Sequence, residues 1–380
     1  MRVLIWGVAP WCRSGYGTGV RYLSQHLAEL GHDVAVFAFV GCAYGDTAWT
    51  GPLGHTILVY GNPLRNSHAY VEQAAKVWKA DIVIAWFDIW SVAALLGTLK
   101  LPKLVVYTPV DSSPVAGLLA EGLKHAQVVV PYCQFAEAQL KAAGVECTPY
   151  IYHGCHTALY RRQEQAAARK TFGVPDGPLF LTVKANNGER SNYPGQLAAF
   201  RTVVDRAYYW VWAYPFMDTL MPDAWDLEGI WESVGGPRGK LLLPDPWTYL
   251  QGLPDEKMPE LYACADWLIN CTLGEGFGFP IIEAMACEVP VIVSDWSSMP
   301  ELVEPDRGLV VNASTPFPCQ ATFSWQMMPD AADFTAKLEA ALDMPLEERA
   351  LMGKRGRRWV KDHCDWRVVA REWDTLLRSL

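Results

Sequence analysis

Two glutamates stand within a cluster of glycines in segment 268–295, LINCTLGEGFGFPIIEAMACEVPVIVSD. The glycines of this cluster have no side chain, so a ligand can approach the main chain closely at Gly274, Gly276 and Gly278. Their amides, together with the free N–H groups of a helix start, can bind an anion such as a diphosphate. Glu275 and Glu283 would instead accept hydrogen bonds from hydroxyl groups. The segment therefore predicts a site for a sugar nucleotide.

A β-loop-α-β unit is predicted to position these residues. A short apolar strand ends at 268–270, the glycine-rich turn follows, and Pro280 suits a first helical position. A helix is expected over 281–287, with Glu283 in its first turn, and a buried parallel strand over 289–294. A plain βαβ turn with a capping glutamate is the alternative, but it leaves Glu275 and the glycines unexplained.

The pattern Glu275-x7-Glu283 resembles the E-x7-E signature of the retaining GT-B glycosyltransferases of family 4, and MPEL at 299–302 continues the match. The resemblance implies that Glu283 contacts the nucleotide ribose. It also implies that Glu275 contacts the donor sugar and has a catalytic role. The loop residues that follow would contact the same sugar: Gly276, Phe277 and Gly278. The implied fold class is α/β of the GT-B type, two Rossmann-like domains facing a central cleft, with a C-terminal helix crossing back to the first.

The length of 380 residues suits two domains of comparable size, and 51% hydrophobic residues suit a globular chain. Strand and helix patterns alternate in both halves. We expect an N-terminal Rossmann-like acceptor domain over 1–157, a C-terminal nucleotide-sugar domain over 158–360 and the returning helix over 361–380. The net charge of −9 arises in the second half, because residues 1–157 hold ten basic and ten acidic groups.

The start of the chain carries a second glycine-rich stretch. A loop is predicted over 9–18, before a helix over 20–30. An NAD-binding fold would show the same start, but it would need an acidic residue at the end of the second strand, and 37–41 has none. SGYGTG followed by LAELGHDV resembles the opening of the same glycosyltransferase family, which implies that Gly15 and Gly17 are loop residues near the donor phosphates. A tight strand-helix connection is the alternative.

Two aspartates follow strands of the predicted first domain, where parallel sheets border their ligand crevice. Asp88 follows the strand over 81–85, and Asp111 follows the strand over 104–108. YTPVD resembles the segment in which the family presents an acidic residue or histidine to the acceptor. Asp111 is therefore the catalytic candidate for acceptor contact or proton handling. Each aspartate is alternatively a cap for the next helix.

The family resemblance implies an arginine and a lysine after the strand over 179–183, where they neutralise the departing diphosphate. Here Ser191 occupies the place of the lysine and Asn186 that of the arginine. The nearby cations are Lys184 and Arg190, and Arg190 is the first candidate for the catalytic charge.

Passage 151–161, IYHGCHTALYR, resembles the interdomain passage of the family, although Tyr152 replaces a proline and His156 stands near the usual acidic position. These departures leave a ligand role of His153 open. Farther on, three prolines between 312 and 329 predict a loop, followed by helices over 331–342 and 346–363.

No Asp-x-Asp motif occurs, so neither a metal nor a cofactor is expected, and the substrate would be a UDP- or GDP-linked sugar. The acceptor stays open between a glycan, a protein and modified DNA. Ten cysteines without a CxxC pair, no signal-peptide pattern and no apolar run of membrane-spanning length predict a cytoplasmic protein without a transmembrane segment.

Two other functions use the same fold and site. A sugar-nucleotide epimerase or phosphorylase would turn over the donor without an acceptor hydroxyl. A non-catalytic nucleotide-sugar binding protein would bind the donor without turnover.

Overall fold

A computed structural model describes residues 1–62, 64, 68–88, 93–185, 188–218, 222–320 and 322–380. They divide into two compact units. The first comprises Met1–His156, Cys319–Ser324 and His363–Leu380, and the second comprises Thr157–Pro318 and Trp325–Asp362. Residues 319–324, which the sequence assigned to the second domain, therefore cluster with the first.

The first unit is built on a seven-stranded sheet of order β3-β4-β2-β1-β5-β6-β7. Its pairs are parallel except for the antiparallel pair β3 and β4. The central strands are continuous apolar runs, as expected where helices cover both faces. The strands are β1 (Arg2–Val8), β2 (Asp33–Val40), β3 (Thr47–Thr50), β4 (Thr56–Tyr60), β5 (Ile82–Trp86), β6 (Lys103–Thr108) and β7 (Val128–Pro131).

Helices connect these strands on the faces of the sheet. They are α1 (Gly15–Glu29), α2 (Val71–Trp78), α3 (Ala93–Leu96), α4 (Gly117–Leu123) and α5 (Gln134–Ala142).

The second unit is built on a six-stranded, fully parallel sheet of order β10-β9-β8-β11-β12-β13. The strands are β8 (Leu179–Val183), β9 (Tyr208–Trp212), β10 (Leu241–Leu242), β11 (Trp267–Asn270), β12 (Val291–Ser294) and β13 (Gly308–Val311). The helices are α6 (Gln165–Phe172), α7 (Tyr193–Arg201), α8 (Leu227–Ser233), α9 (Pro246–Gln251), α10 (Met258–Ala263), α11 (Phe279–Ala286), α12 (Met299–Arg307), α13 (Ala331–Asp343) and α14 (Leu346–His363).

The predicted loop over 312–329 is wrong. Two strands, β14 (Ala313–Cys319) and β15 (Ser324–Pro329), form a separate two-stranded sheet there. Each strand of such a sheet has one edge without a neighbour, so a proline on that edge removes no ladder hydrogen bond. Pro316 and Pro318 are two residues apart and share an edge, which explains why they do not prevent a strand.

The C-terminal helix α15 (Trp366–Ser379) belongs to the first unit and packs against α1. The side chain of Asp365 caps it by accepting from the backbone N–H of Arg367. Trp366 and Trp373 are fully buried, and His32 Nε2 lies 2.7 Å from Asp374 Oδ1. The amphipathic C-terminal segment therefore completes the first unit. Among the helices of the described ranges, none combines the length and the apolar character that a membrane span requires.

Candidate functional site

The glycine-rich loop of the second unit leads directly into the start of α11. This helix begins at Phe279, with Pro280 as its second residue, and no side chain caps its first turn. Gly278 adopts φ +106°, and a Cβ there would lie 2.8 Å from Ile281 Cδ1, so the position requires glycine. An uncapped helix start next to a buried glycine loop leaves amide groups for an anion.

Two serines before α12 fasten the same loop. Ser298 Oγ donates to the carbonyl oxygens of Glu275 and Phe277, at 3.0 and 2.7 Å. The backbone N–H of Glu275 donates to Ser297 Oγ at 2.9 Å. Gly276 and Phe277 are buried in this loop. The loop is therefore held in one conformation by side chains that lie more than twenty residues farther along the chain.

Glu275 is the centre of a charged cluster. Its Oε1 accepts from Lys184 Nζ at 2.6 Å, and its Oε2 lies 3.7 Å from a guanidinium nitrogen of Arg190. Asn270 Nδ2 approaches Oε1 at 3.5 Å. Burial by itself raises the pKa of Glu275, but the two cations outweigh it and hold the pKa below its ordinary value. Glu275 is therefore an ionised carboxylate in a buried site.

The two cations reach the cluster from different elements and differ in exposure. Lys184 follows β8, and its side chain is 6% exposed. Arg190 lies in a short 3-10 turn, Glu189–Ser191, and its side chain is 34% exposed. The Leu273 N–H donates to the Arg190 carbonyl oxygen at 3.0 Å, which joins this turn to the glycine loop. Arg190 is thus the more exposed of the two cations. Asn186 lies outside the described residues.

Glu283 has a different environment, although it is on the same unit. It is the fifth residue of α11 and not in its first turn, because the helix starts two residues earlier than predicted. The Tyr262 hydroxyl donates to Glu283 Oε2 at 2.6 Å, and Tyr160 also hydrogen-bonds the carboxyl group. Burial raises the pKa of Glu283 to about 7, and Asp255 adds to this rise against the opposing effect of the two tyrosines.

The two glutamates therefore have pKa values that are pushed in opposite directions. Glu275 is paired with cations and stays ionised, whereas Glu283 is buried, hydrogen-bonded by two tyrosines and near Asp255, and is protonated in a large fraction near pH 7. Such a difference between two carboxyl groups in one site is typical of groups with separate chemical roles.

Tyr262→Phe is expected to lower the free energy of unfolding more at pH 8 than at pH 5. The lost hydrogen bond is worth about 1 kcal/mol to a neutral carboxyl group and about 2 kcal/mol to an ionised one. Urea unfolding of both proteins between pH 5 and pH 9 measures this difference. Tyr209→Phe is the control, because its hydroxyl contacts Thr182 and its loss should cost the same at each pH. A penalty for Tyr262→Phe that does not change with pH would contradict the result.

The glycines near the N-terminus are not loop residues, so that prediction is wrong. Helix α1 begins at Gly15, and Ser14 Oγ caps it by accepting from the Gly17 N–H at 3.1 Å. A Cβ on Gly17 would lie 2.0 Å from the Cys12 carbonyl oxygen. Gly17 is therefore required by close packing of the turn before the helix.

The two aspartates of the first unit lie where the strands predicted them, after β5 and β6. Asp88 Oδ1 accepts from the Tyr16 hydroxyl at 2.6 Å. Asp111 does not cap α4, whose N-cap is Ala116. Its neighbour Ser112 accepts from Ser324 Oγ at 2.8 Å, which ties residues 319–324 to the loop that carries Asp111. Both aspartates belong to the first unit, whereas the Glu275 cluster belongs to the second.

His153 is a core residue of the first unit. It is 3% exposed, its Nδ1 lies 2.8 Å from the Tyr107 hydroxyl, and burial lowers its pKa well below the ordinary value. Within the described ranges, no group of three His, Cys, Asp or Glu side chains is arranged to hold a metal ion.

Sequence reasoning missed the residues that set the state of the glutamates. Tyr160 and Tyr262 carry no motif of their own, and Ser297 and Ser298 stand in an ordinary helix-start pattern. Tyr262 lies in the segment MPELYACADW that precedes the glycine loop, and its spacing from Glu283 gave no sign of a contact. Lys184 and Arg190 were identified, but their pairing with Glu275 was not.

A model of the family described as glycosyl transferases group 1 matches residues 234–319. The matched range contains the glycine loop, both glutamates and the two serines. It covers a minority of the chain and lies within the second unit, apart from its last residue.

Curated relatives match parts of the chain. It is 43% identical over 89 residues to O-antigen chain mannosyltransferase B of Escherichia coli, covering 23% of this chain and 22% of that protein. It is 28% identical over 250 residues to the GDP-mannose-dependent alpha-(1-6)-phosphatidylinositol monomannoside mannosyltransferase of Mycolicibacterium smegmatis. This match covers 62% of this chain and 56% of that protein. The chain therefore spans between about a fifth and just over half of the length of these relatives.

The structure resembles sucrose-phosphate synthase from Thermosynechococcus elongatus with a TM-score of 0.78 and 19% identity, covering 100% of this chain and 98% of that one. At this identity the likeness concerns the fold. The chain has the GT-B fold of two Rossmann-like domains, and the predicted fold class is confirmed.

Proposed function

We propose that this protein is a glycosyltransferase that moves a sugar from a nucleotide diphosphate sugar to an acceptor hydroxyl. One observation carries the proposal: an ionised, buried Glu275, held by Lys184 and Arg190, lies in a fastened glycine loop at an uncapped helix start. This arrangement offers amides and a cation to a diphosphate and a carboxylate to sugar hydroxyls. The match to glycosyl transferases group 1 over residues 234–319 supports it.

In the proposed complex, the donor diphosphate lies at the start of α11 and draws Arg190 away from Glu275. Arg190 is suited to this exchange because its 3.7 Å contact with Glu275 is loose and its side chain is partly exposed. Lys184 keeps the shorter contact and holds Glu275 ionised. No metal is needed in this scheme, because amides and Arg190 neutralise the leaving group.

The reaction is proposed to be retaining, as in family 4. The bond from the anomeric carbon to the diphosphate oxygen breaks, and a bond to the acceptor oxygen forms on the same face. The acceptor proton passes to the departing diphosphate. Glu275 orients the donor sugar through its hydroxyls and stabilises the positive charge that develops on the ring. Asp111 remains the proposed acceptor contact on the first unit.

Glu283 is proposed to receive the ribose hydroxyls. A carboxylate has about four acceptor positions, so bonds from Tyr160 and Tyr262 leave positions for a ribose. The neutral carboxyl group accepts less strongly than the carboxylate, so the ionised form binds the nucleotide better.

The first donor to test is GDP-mannose, because one relative is named as GDP-mannose-dependent and another as a mannosyltransferase. The names of these relatives also favour a glycan or a glycolipid as the acceptor over a protein or modified DNA. The ten free cysteines favour a reducing compartment, and we infer that the protein acts in the cytoplasm.

GDP or UDP is expected to raise the melting temperature of the protein by several degrees. A ligand at a hundred times its dissociation constant adds about 2.7 kcal/mol to the free energy of unfolding. Differential scanning fluorimetry with GDP, UDP, ADP and NAD measures the shift, with Glu283→Ala as the variant that should lose most of it. A shift with NAD alone, or an equal shift in the variant, would contradict the proposed site.

Turnover then separates the remaining functions. Donor consumption that requires an added acceptor supports the transferase, whereas consumption without an acceptor indicates an epimerase or a phosphorylase. Nucleotide binding without turnover on glycan, glycolipid, protein or DNA acceptors indicates a binding protein.

A further inference from the structure

The first unit carries a group of aromatic side chains at the carboxyl ends of three neighbouring strands. The aromatic cluster consists of Trp6 on β1, Phe39 on β2, Phe87 directly after β5, and His68. The ring of His68 contacts the other three, with centroid distances of 5.2, 4.6 and 5.2 Å to Trp6, Phe39 and Phe87. This edge of a parallel sheet is where ligands of α/β folds bind.

The hydrogen bond between Trp6 and His68 determines where the imidazole proton lies. Trp6 Nε1 is 3.0 Å from His68 Nδ1, and an indole N–H can only donate. Nδ1 is therefore the acceptor, and the neutral ring carries its proton on Nε2. Burial lowers the pKa of His68 to about 4, so the ring is neutral at physiological pH.

The second ring nitrogen of His68 carries an N–H group that can donate a hydrogen bond. No hydrogen bond joins it to another side chain or backbone group in the described part of the chain, and it is not among the fully buried polar atoms there. His68 and Phe39 are both half-buried, so a ligand can approach them.

A carboxylate that can accept hydrogen bonds follows Phe87 of the aromatic cluster in the chain. Asp88 is the residue after Phe87, it is half-buried, and its Oδ1 accepts from the Tyr16 hydroxyl at 2.6 Å. Tyr16 packs against the same hydrophobic core as Trp6 and Phe87. The tyrosine therefore holds the carboxylate at the edge of the sheet that carries the aromatic cluster.

A neutral N–H donor, a carboxylate acceptor and a partly exposed ring are complementary to a sugar. Each hydroxyl of a hexose both donates and accepts, and the C–H face of the ring packs on an aromatic face. Polar groups in an otherwise apolar surround are also the usual composition of a small-molecule site.

We propose that the aromatic cluster, Asp88 and Tyr16 form a hexose-binding subsite in the first unit. His68 Nε2 donates to one hydroxyl of the bound sugar, Asp88 accepts from another, and Phe39 packs against the ring. The assignment of this sugar to the acceptor rests on the proposed glycosyltransferase function. The binding of a hexose at this place does not depend on that function.

Saturation-transfer NMR tests the subsite, with methyl α-D-mannopyranoside and methyl α-D-glucopyranoside as probes. The wild-type protein is expected to bind at least one of them. His68→Ala should weaken that binding about tenfold, as expected for one lost hydrogen bond. His68→Gln should retain most of it, because the amide can accept from Trp6 and still donate to the sugar. Phe39→Leu should also weaken binding, because the aromatic face that packs against the sugar ring is lost.

His55→Ala is the matched control, because the hydrogen bonds of His55 to Gln25 use its backbone and its side chain is outside the cluster. Melting temperatures show that each variant is folded. No binding of either glycoside to the wild type, or equal binding to His68→Ala, would overturn the proposal. The same variants titrated with GDP and UDP separate the two proposals: nucleotide binding should be unchanged in His68→Ala. Sugar binding without nucleotide binding would leave the subsite standing and remove the transferase.

Discussion

Glu275→Gln is expected to lower the rate of sugar transfer by a factor of about 10²–10³, while the affinity for the nucleoside diphosphate stays about the same. The substitution keeps the shape of the side chain but removes the negative charge that orients the sugar and stabilises the developing positive charge. Loss of one preorganised electrostatic group in an active site has effects of about this size. The comparison requires kcat at saturating donor and the dissociation constant of GDP or UDP for both proteins.

The effect of Glu275→Gln on the free energy of unfolding must be separated from its effect on the rate of sugar transfer. Lys184 is 6% exposed and depends on Glu275 for its charge balance. A buried charge that loses its partner costs about 3–5 kcal/mol, so Glu275→Gln should also unfold more readily. The double variant Glu275→Gln with Lys184→Met removes both charges and should regain stability without regaining activity. Recovery of transfer in the double variant would mean that Glu275 serves only to neutralise Lys184.

The strands of both sheets were largely predictable from the sequence, because buried parallel strands are continuous apolar runs between turn residues. The strands predicted over 81–85 and 104–108 are examples, and the structure has them at Ile82–Trp86 and Lys103–Thr108. The start of α1 was predicted five residues late, since glycine disfavours helix and its first five residues include Gly15, Gly17 and Gly19. The requirement that overrides this preference is the packing of Gly17 against Cys12, which only the fold reveals.

The strands at the sheet edges were less predictable. β14 and β15 contain prolines and exposed side chains, and β3 is a four-residue strand that is mostly exposed. Neither alternation nor a continuous apolar run marks such strands. Their pairing depends on neighbours that come together only in the folded chain.

The two glutamates of the candidate site were predicted from a motif, but their chemical states were not. Glu275 obtains its cations from positions 91 and 85 residues earlier in the chain, and Tyr160 reaches Glu283 across 123 residues. Equal residue types at a fixed spacing therefore predict a site without predicting which carboxyl group is ionised. The same limit applies to His68, whose proton position follows from a contact with Trp6 on a strand 62 residues away.

Glu283→Gln is expected to stabilise the protein at pH 8 and to weaken nucleotide binding about 10- to 100-fold. The pKa of Glu283 is about 7 in the folded state against 4.5 for an exposed glutamate. The fold therefore prefers the protonated form, and its stability is greatest below pH 4.5 and falls as the pH rises to 7. Over this interval the loss is at most about 3 kcal/mol, at about 1.4 kcal/mol per pKa unit.

Glutamine resembles the protonated carboxyl group and does not titrate, so the variant should match the wild type near pH 4 and exceed it above pH 7. Urea unfolding at pH 4, 6 and 8 measures the free energy difference, and calorimetry with GDP or UDP measures the affinity. Glu339→Gln on α13 is the control, because its side chain is exposed and its neutralisation should change neither quantity. The charge of Glu283 is thus expected to lower stability and to strengthen nucleotide binding. Higher stability with weaker binding would therefore identify Glu283 as a ligand-binding residue. A variant as stable as the wild type at pH 8 would contradict the raised pKa of Glu283, and one that binds nucleotide equally well would remove Glu283 from the site.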